Sequence, residues 1–117
     1  MGLKLEMITA DSTDPGPLAQ WWAEQTGGSS ADVGEGEFFI VTIPGGPNLG
    51  FQKVEVPTPG KNRLHLDLSA DDLESEVIRL VAAGATEVEH RGFPGFKWVT
   101  LIDPDGNEFC VAGSHSE

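Results

Sequence analysis

The sequence predicts an α+β fold built from two similar halves, and three observations carry that prediction. The order strand, helix, then two or three strands occurs twice within 117 residues. The two helices open at Asp14 and Asp72, about half the chain apart, and both close on glycine, at Gly27-Gly28 and at Gly84. Between the halves, PTPGKN at 57–62 has the composition of a linker. The expected organisation is one domain over 1–117, with module one at about 1–56 and module two at about 63–113.

The elements follow in order. Residues 3–10, LKLEMITA, alternate polar and apolar and read as a strand. Asp14 can cap the first helix, Pro15 suits its first position, and Gly27-Gly28 ends it. Leu18, Trp21, Trp22 and Gln25 fall at helical spacings, so at least one Trp faces a core and one can emerge at a pocket edge. GEFFIVTIP at 36–44 is β-branched and aromatic and reads as a strand. A turn at Pro44-Gly45-Gly46-Pro47 joins it to a partner strand at 48–56.

The second half restarts with RLHLDLS at 63–69, which alternates strictly. Leu64, Leu66 and Leu68 take one face; Arg63, His65, Asp67 and Ser69 take the other. Ser69 can cap the second helix, whose Leu73, Val77, Leu80 and Val81 form an apolar stripe. Strands are expected at 85–91, 96–102 and 107–112, the last two joined by a DPDG turn. There Pro104 fits the first corner and Gly106 the flexible position, while Phe109 and Val111 point into the core and Glu108 and Cys110 share the other face.

Charge and cysteine usage narrow the function classes. With 19 acidic residues against 7 basic, the net charge of −12 argues against nucleic acid or an anionic membrane as partner. An acidic surface favours cationic ligands. The one cysteine excludes an intrachain disulfide framework and fits a reducing compartment. MGLKLEMITA lacks the apolar core and cleavage pattern of a secretory leader, and FFIVTI at 38–43 is too short to span a bilayer. The expectation is a cytoplasmic protein.

Three segments, DPGPLAQWWAEQTG, RLHLDLSADDLESEVIRLVAAGA and WVTLIDPDGNEFCV, in this order and spacing resemble the vicinal oxygen chelate superfamily. The likeness is to its glyoxalase-like and bleomycin-resistance-like members. It implies two βαβββ modules, each curling its mixed sheet into a half-barrel with the helix on the convex side. In the metalloenzymes of this superfamily a divalent ion lies in the concavity, held by the first and fourth strands of each module, commonly by two His or Gln and two Glu. Such an ion polarises vicinal oxygens, stabilising an enediolate or activating dioxygen. Other members hold no metal and bind a small molecule in the cavity, often at a homodimer interface.

Carried residue by residue, the resemblance puts His65 at the ligand position of module two's first strand, where a neutral imidazole suits zinc, nickel or iron. The matching position of module one is Met7, with Thr9 on the same face and Glu6 directed toward the helix unless a bulge turns it. A thioether is a poor ligand for the ions this superfamily uses. The fourth-strand positions fall on Gln52, with Glu55 as a lesser choice, and on Cys110, two residues beyond Glu108. The quartet His, Gln, Met and Cys lacks the carboxylate that lyase chemistry needs as a general base. Glyoxalase I activity is therefore not expected. The favoured expectation is no cofactor, with a small aromatic or cationic compound bound by His65, Asp67, Gln52, Trp98, Phe96, Glu108, Met7 and Cys110. The alternative is a lyase, isomerase or dioxygenase using a divalent ion at His65 with Gln52 and Glu108, or with Glu6.

Overall fold

The computed structural model describes residues 5–57, 59–60, 66–94 and 96–113. The chain divides into two compact units, Met1–Thr58 and Pro59–Glu117. Each unit is one four-stranded mixed sheet with one helix against it, which makes an α+β fold of two βαβββ modules.

Module one runs β1 (Met7–Ser12), α1 (Pro15–Thr26), β2 (Ser29–Asp32), β3 (Phe38–Thr42) and β4 (Asn48–Lys53), with strand order β1-β4-β3-β2. β1 lies parallel to β4, and the other pairs are antiparallel. The register puts Ile8, Leu49 and Val41 in one row and Ala10, Phe51 and Phe39 in the next, facing α1. Leu49, Phe51 and Val41 are buried there. α1 adds Leu18, Ala19, Trp21, Trp22 and Ala23 to this core. The two indoles meet edge to face, with centroids 5.0 Å apart. Both tryptophans are buried, so neither emerges at a pocket edge. Asp14 holds the N-cap position but its side chain makes no cap bond. Its N–H instead donates to Ser12 Oγ at 3.0 Å, tying the helix start to the fully buried end of β1. Gly27 ends the helix in the left-handed region at φ 70°, which a side chain would strain.

The strand β2 was not predicted from sequence. SSAD shows no apolar alternation because it is an edge strand pairing only with β3, largely exposed. Asp32 then organises the following turn, its carboxylate accepting the N–H groups of Gly34 and Gly36.

Module two runs β5 (Leu66–Ser69), α2 (Leu73–Ala82), β6 (Thr86–Phe93), β7 (Phe96–Ile102) and β8 (Glu108–Ala112), in the order β5-β8-β7-β6. Its pairing repeats module one, with β5 parallel to β8. Leu66, Phe109 and Leu101 form one row and Leu68, Val111 and Val99 the next, and the β7 and β8 members are almost fully buried. Val77 and Leu80 complete that core, whereas Val81 of the expected apolar stripe is 44% exposed. The cap of α2 is Asp72 rather than Ser69, because Ser69 is still paired in β5. Asp72 accepts from the Ser75 N–H at 3.2 Å and the Ser75 hydroxyl at 2.9 Å. These bonds, backbone first, hold its carboxyl below the ordinary value.

The DPDG turn is built around a residue that sequence reasoning passed over. Asp103 is 4% exposed. Its Oδ1 accepts the N–H groups of Asp105 and Asn107, both at 2.9 Å, and its Oδ2 accepts Asn107 Nδ2 at 3.1 Å. Gly106 supplies the positive φ, 92°, that returns the chain into β8.

Candidate functional site

Each module has a sheet face opposite its helix, and the register puts Met7, Gln52, Asp67, Trp98, Glu108 and Cys110 of the expected residues on such a face. In module one, β1 and β4 bring Met7, Thr9 and Gln52 to that face, and β3 adds Phe38. Three of these side chains converge over Gly50. A Cβ at Gly50 would stand 2.9 Å from Phe38 Cζ, 2.9 Å from Thr9 Oγ1 and 3.0 Å from Met7 Sδ. The missing side chain at Gly50 thus makes a shallow seat bounded by a thioether, a hydroxyl and an aromatic edge. Gln52 lies one row on, opposite Asp11 and Phe38, with an exposed amide. Glu6 precedes β1 and Glu55 follows β4, so neither belongs to a strand.

In module two, Asp67, Cys110 and Thr100 form one transverse row across β5, β8 and β7. Cys110 Sγ is half-buried and lies 3.5 Å from Thr100 Oγ1. Trp98 pairs with Ala112 and Glu108 with Ile102, so the same face carries an indole at one end and a carboxylate at the other. Both are half-buried. Phe96 opens β7, two residues before Trp98. His65 lies outside the described residues.

The structure therefore groups Met7 and Gln52 in one module, and Asp67, Cys110, Trp98 and Glu108 in the other. It adds Phe38 and Thr100, which sequence reasoning did not single out. Strand alternation could have found both: Phe38 shares parity with Ile40 against buried Val41, and Thr100 with Trp98 against buried Val99.

Three positions test the fit of a divalent ion. Met7 offers a thioether already packed at Gly50, Gln52 a neutral amide, and Cys110 a thiol in contact with a hydroxyl. Gln52 and Cys110 could each donate to such an ion, through an amide oxygen or a thiolate, but a thioether is a poor ligand and none of the three supplies a carboxylate. Among the described residues no three His, Cys, Asp or Glu side chains gather as a metal-binding group. The donors at these positions do not fit the ion of the metalloenzymes.

Residues 7–112 match the family model described as Glyoxalase-like domain. The chain belongs to this family. As a glyoxalase-like domain it falls in the vicinal oxygen chelate superfamily, and solved structures share its fold. A glyoxalase/bleomycin resistance protein/dioxygenase family enzyme from Burkholderia phytofirmans PsJN superposes with a TM-score of 0.81 at 18% identity, over 95% of this chain and 98% of that one. A superfamily member from Sphaerobacter thermophilus DSM 20745 gives 0.74 at 17% identity, over 96% and 98%. A lactoylglutathione lyase from Agrobacterium tumefaciens gives 0.70 at 16% identity, over 96% and 94%. No curated protein matches the chain. No helix among the described residues is long and apolar enough to cross a membrane.

Proposed function

We propose that this glyoxalase-like domain binds a small aromatic or cationic compound without the help of a metal ion, as a sequestering protein does. One observation carries the reading: Met7, Gln52 and Cys110, where the metalloenzymes place ligands, include a poorly donating thioether and no carboxylate. Those positions still provide what a small-molecule site uses, soft apolar contact beside a few polar groups. In module two Trp98 supplies aromatic surface for stacking and cation–π contact, and in module one Phe38 does so on its own sheet. Asp67 beside Cys110, and Glu108 at the end of the face away from Trp98, add negative charge to module two's sheet. The net charge of −12 would draw a cation toward it.

The test uses a panel of cationic aromatic compounds with intrinsic fluorescence and thermal shift as readouts. Trp21 and Trp22 are buried under α1, so saturable quenching should come from Trp98. Trp98→Phe should remove the quenching while thermal stabilisation persists. Glu108→Gln and Asp67→Asn should each weaken binding several-fold. Saturation at about 100 times Kd stabilises a fold by about 2.7 kcal/mol. If no compound gives quenching that depends on Trp98, or if stabilisation appears only with added metal, the reading fails.

A further inference from the structure

The helix side of module two borders a cavity whose lining reaches Arg91 and Trp98 at the edge of the hairpin. α1 lies across all four strands of its sheet, with Trp21 and Trp22 filling the space beneath it. α2 presents only Val77 and Leu80 as buried residues and rests chiefly on β6 and β8. α2 itself carries no tryptophan, and the space between it and the β6–β7 hairpin stays open as a groove of about 820 Å³. That volume lies within the range of sites for small organic ligands.

The walls of the groove divide by chemistry. Leu73 and Val77 of α2 and Val99 of β7 form an apolar floor, with Ile78, 70% exposed, at the rim. His90 pairs with Val99 and Gly92 with Lys97, so His90 and Lys97 share the face of the buried Val99, opposite Cys110. Gly92 has no side chain to cover Lys97. Arg91 also borders the groove, so two of the seven Lys and Arg residues in a strongly acidic chain gather here. The acidic lining is partly engaged: Glu87 Oε2 lies 2.5 Å from His90 Nε2. Glu74 borders the groove on its helix side. Arg91 pairs with Glu89, whereas the Lys97 ammonium has no ion pair among the described residues.

We propose that this groove is a second small-molecule site, selective for an organic anion with an apolar body. The carboxylate or sulfonate of such a ligand meets Lys97, and its apolar body lies along Leu73, Val77 and Val99 beneath Ile78. Charge complementarity sets the class, since a free ammonium beside an apolar floor favours an anion over a neutral or cationic compound of the same shape. This site borders Trp98, which the sheet-face reading also uses, but prefers the opposite charge.

The experiment titrates the full chain with 1-anilinonaphthalene-8-sulfonate and with its uncharged parent, N-phenyl-1-naphthylamine, and follows probe fluorescence and methyl and amide NMR shifts. The expected result is one sulfonate per chain, bound more tightly than the parent, with shifts at Leu73, Val77 and Val99. Lys97→Glu should weaken the sulfonate about tenfold, through loss of one exposed ion pair and gain of a repulsion, and leave the parent within about twofold. Ile78→Asp, at a site exposed enough to leave the fold intact, should weaken both probes. Unchanged urea midpoints keep both variants interpretable. The proposal is overturned if Lys97→Glu leaves sulfonate affinity unchanged, if a cationic dye of equal size binds better, or if the shifts fall on Met7 and Cys110 instead.

Discussion

Asp103 is the residue whose loss should most damage module two without touching either binding face. Its carboxylate is 4% exposed and satisfies three donors: the N–H groups of Asp105 and Asn107 and the side-chain amide of Asn107. Two further backbone bonds depend on the same turn, Asp103 N–H to Asn107 O and Gly106 N–H to Asp103 O, both at 2.9 Å. Asp103→Ala removes the acceptor and leaves three part-buried donors of the turn without it. A hydrogen bond to a charged group contributes about 1.5–3 kcal/mol, and part of the loss is recovered by hydration. The expected net cost is about 3 kcal/mol, a large share of the roughly 5–15 kcal/mol that stabilises a domain. Asp103→Asn keeps one oxygen in place for the two backbone donors and should cost about 1 kcal/mol. Urea unfolding followed by far-UV circular dichroism measures both, with the slope m unchanged if only native contacts are lost. A cost below about 1 kcal/mol for Asp103→Ala, or equal costs for the two variants, would refute the assignment of the turn to this carboxylate.

Three further outcomes are expected. Trp22→Ala should cost about 3–5 kcal/mol because the indole is 3% exposed between α1 and its sheet, and thermal melts will show whether it does. Gly50→Ala should cost about 1–2 kcal/mol by overpacking. Phe38 and Met7 can swing their tips away, but Thr9 is stiff and closer to the backbone. Compound binding in this variant should fall by more than the melt implies, as calorimetry can check. Asp72 titrates below the ordinary carboxylate value owing to its bonds to Ser75. Its contribution is therefore present above the unfolded-state pKa and lost as pH falls through the lower folded-state one. The stability gap between the wild type and Asp72→Ala should be open at neutral pH and narrow as pH falls below the ordinary Asp range, in melts recorded across that window.

Much of this architecture was legible because periodicity and turn chemistry agreed. Phe109 and Val111 read as inward and are buried, and the helix bounds followed from Pro15, Gly27 and Asp72. β2 was not legible, since an exposed edge strand needs no apolar alternation and its stability comes from pairing with β3. The cap at Ser69 was misplaced because the residue could serve a strand end or a helix start, and pairing with Ala112 decides for the strand. Met7, Gln52 and Cys110 were singled out through the family resemblance rather than through periodicity. The seat at Gly50 was not visible in sequence, because it depends on Phe38, Thr9 and Met7 arriving from different strands. The groove beside α2 was hidden for a similar reason: it arises where a helix lacks bulk, and absence of bulk has no motif.

The central claim is that this glyoxalase-like domain handles its ligand without a metal ion. Its most direct test is the metal content of protein purified without chelator, by plasma mass spectrometry, followed by calorimetric titration with zinc, nickel and ferrous iron. The account predicts far less than one metal per chain and no tight saturable binding, with His65→Ala indistinguishable from wild type. One tightly bound ion per chain, lost in His65→Ala, would contradict it.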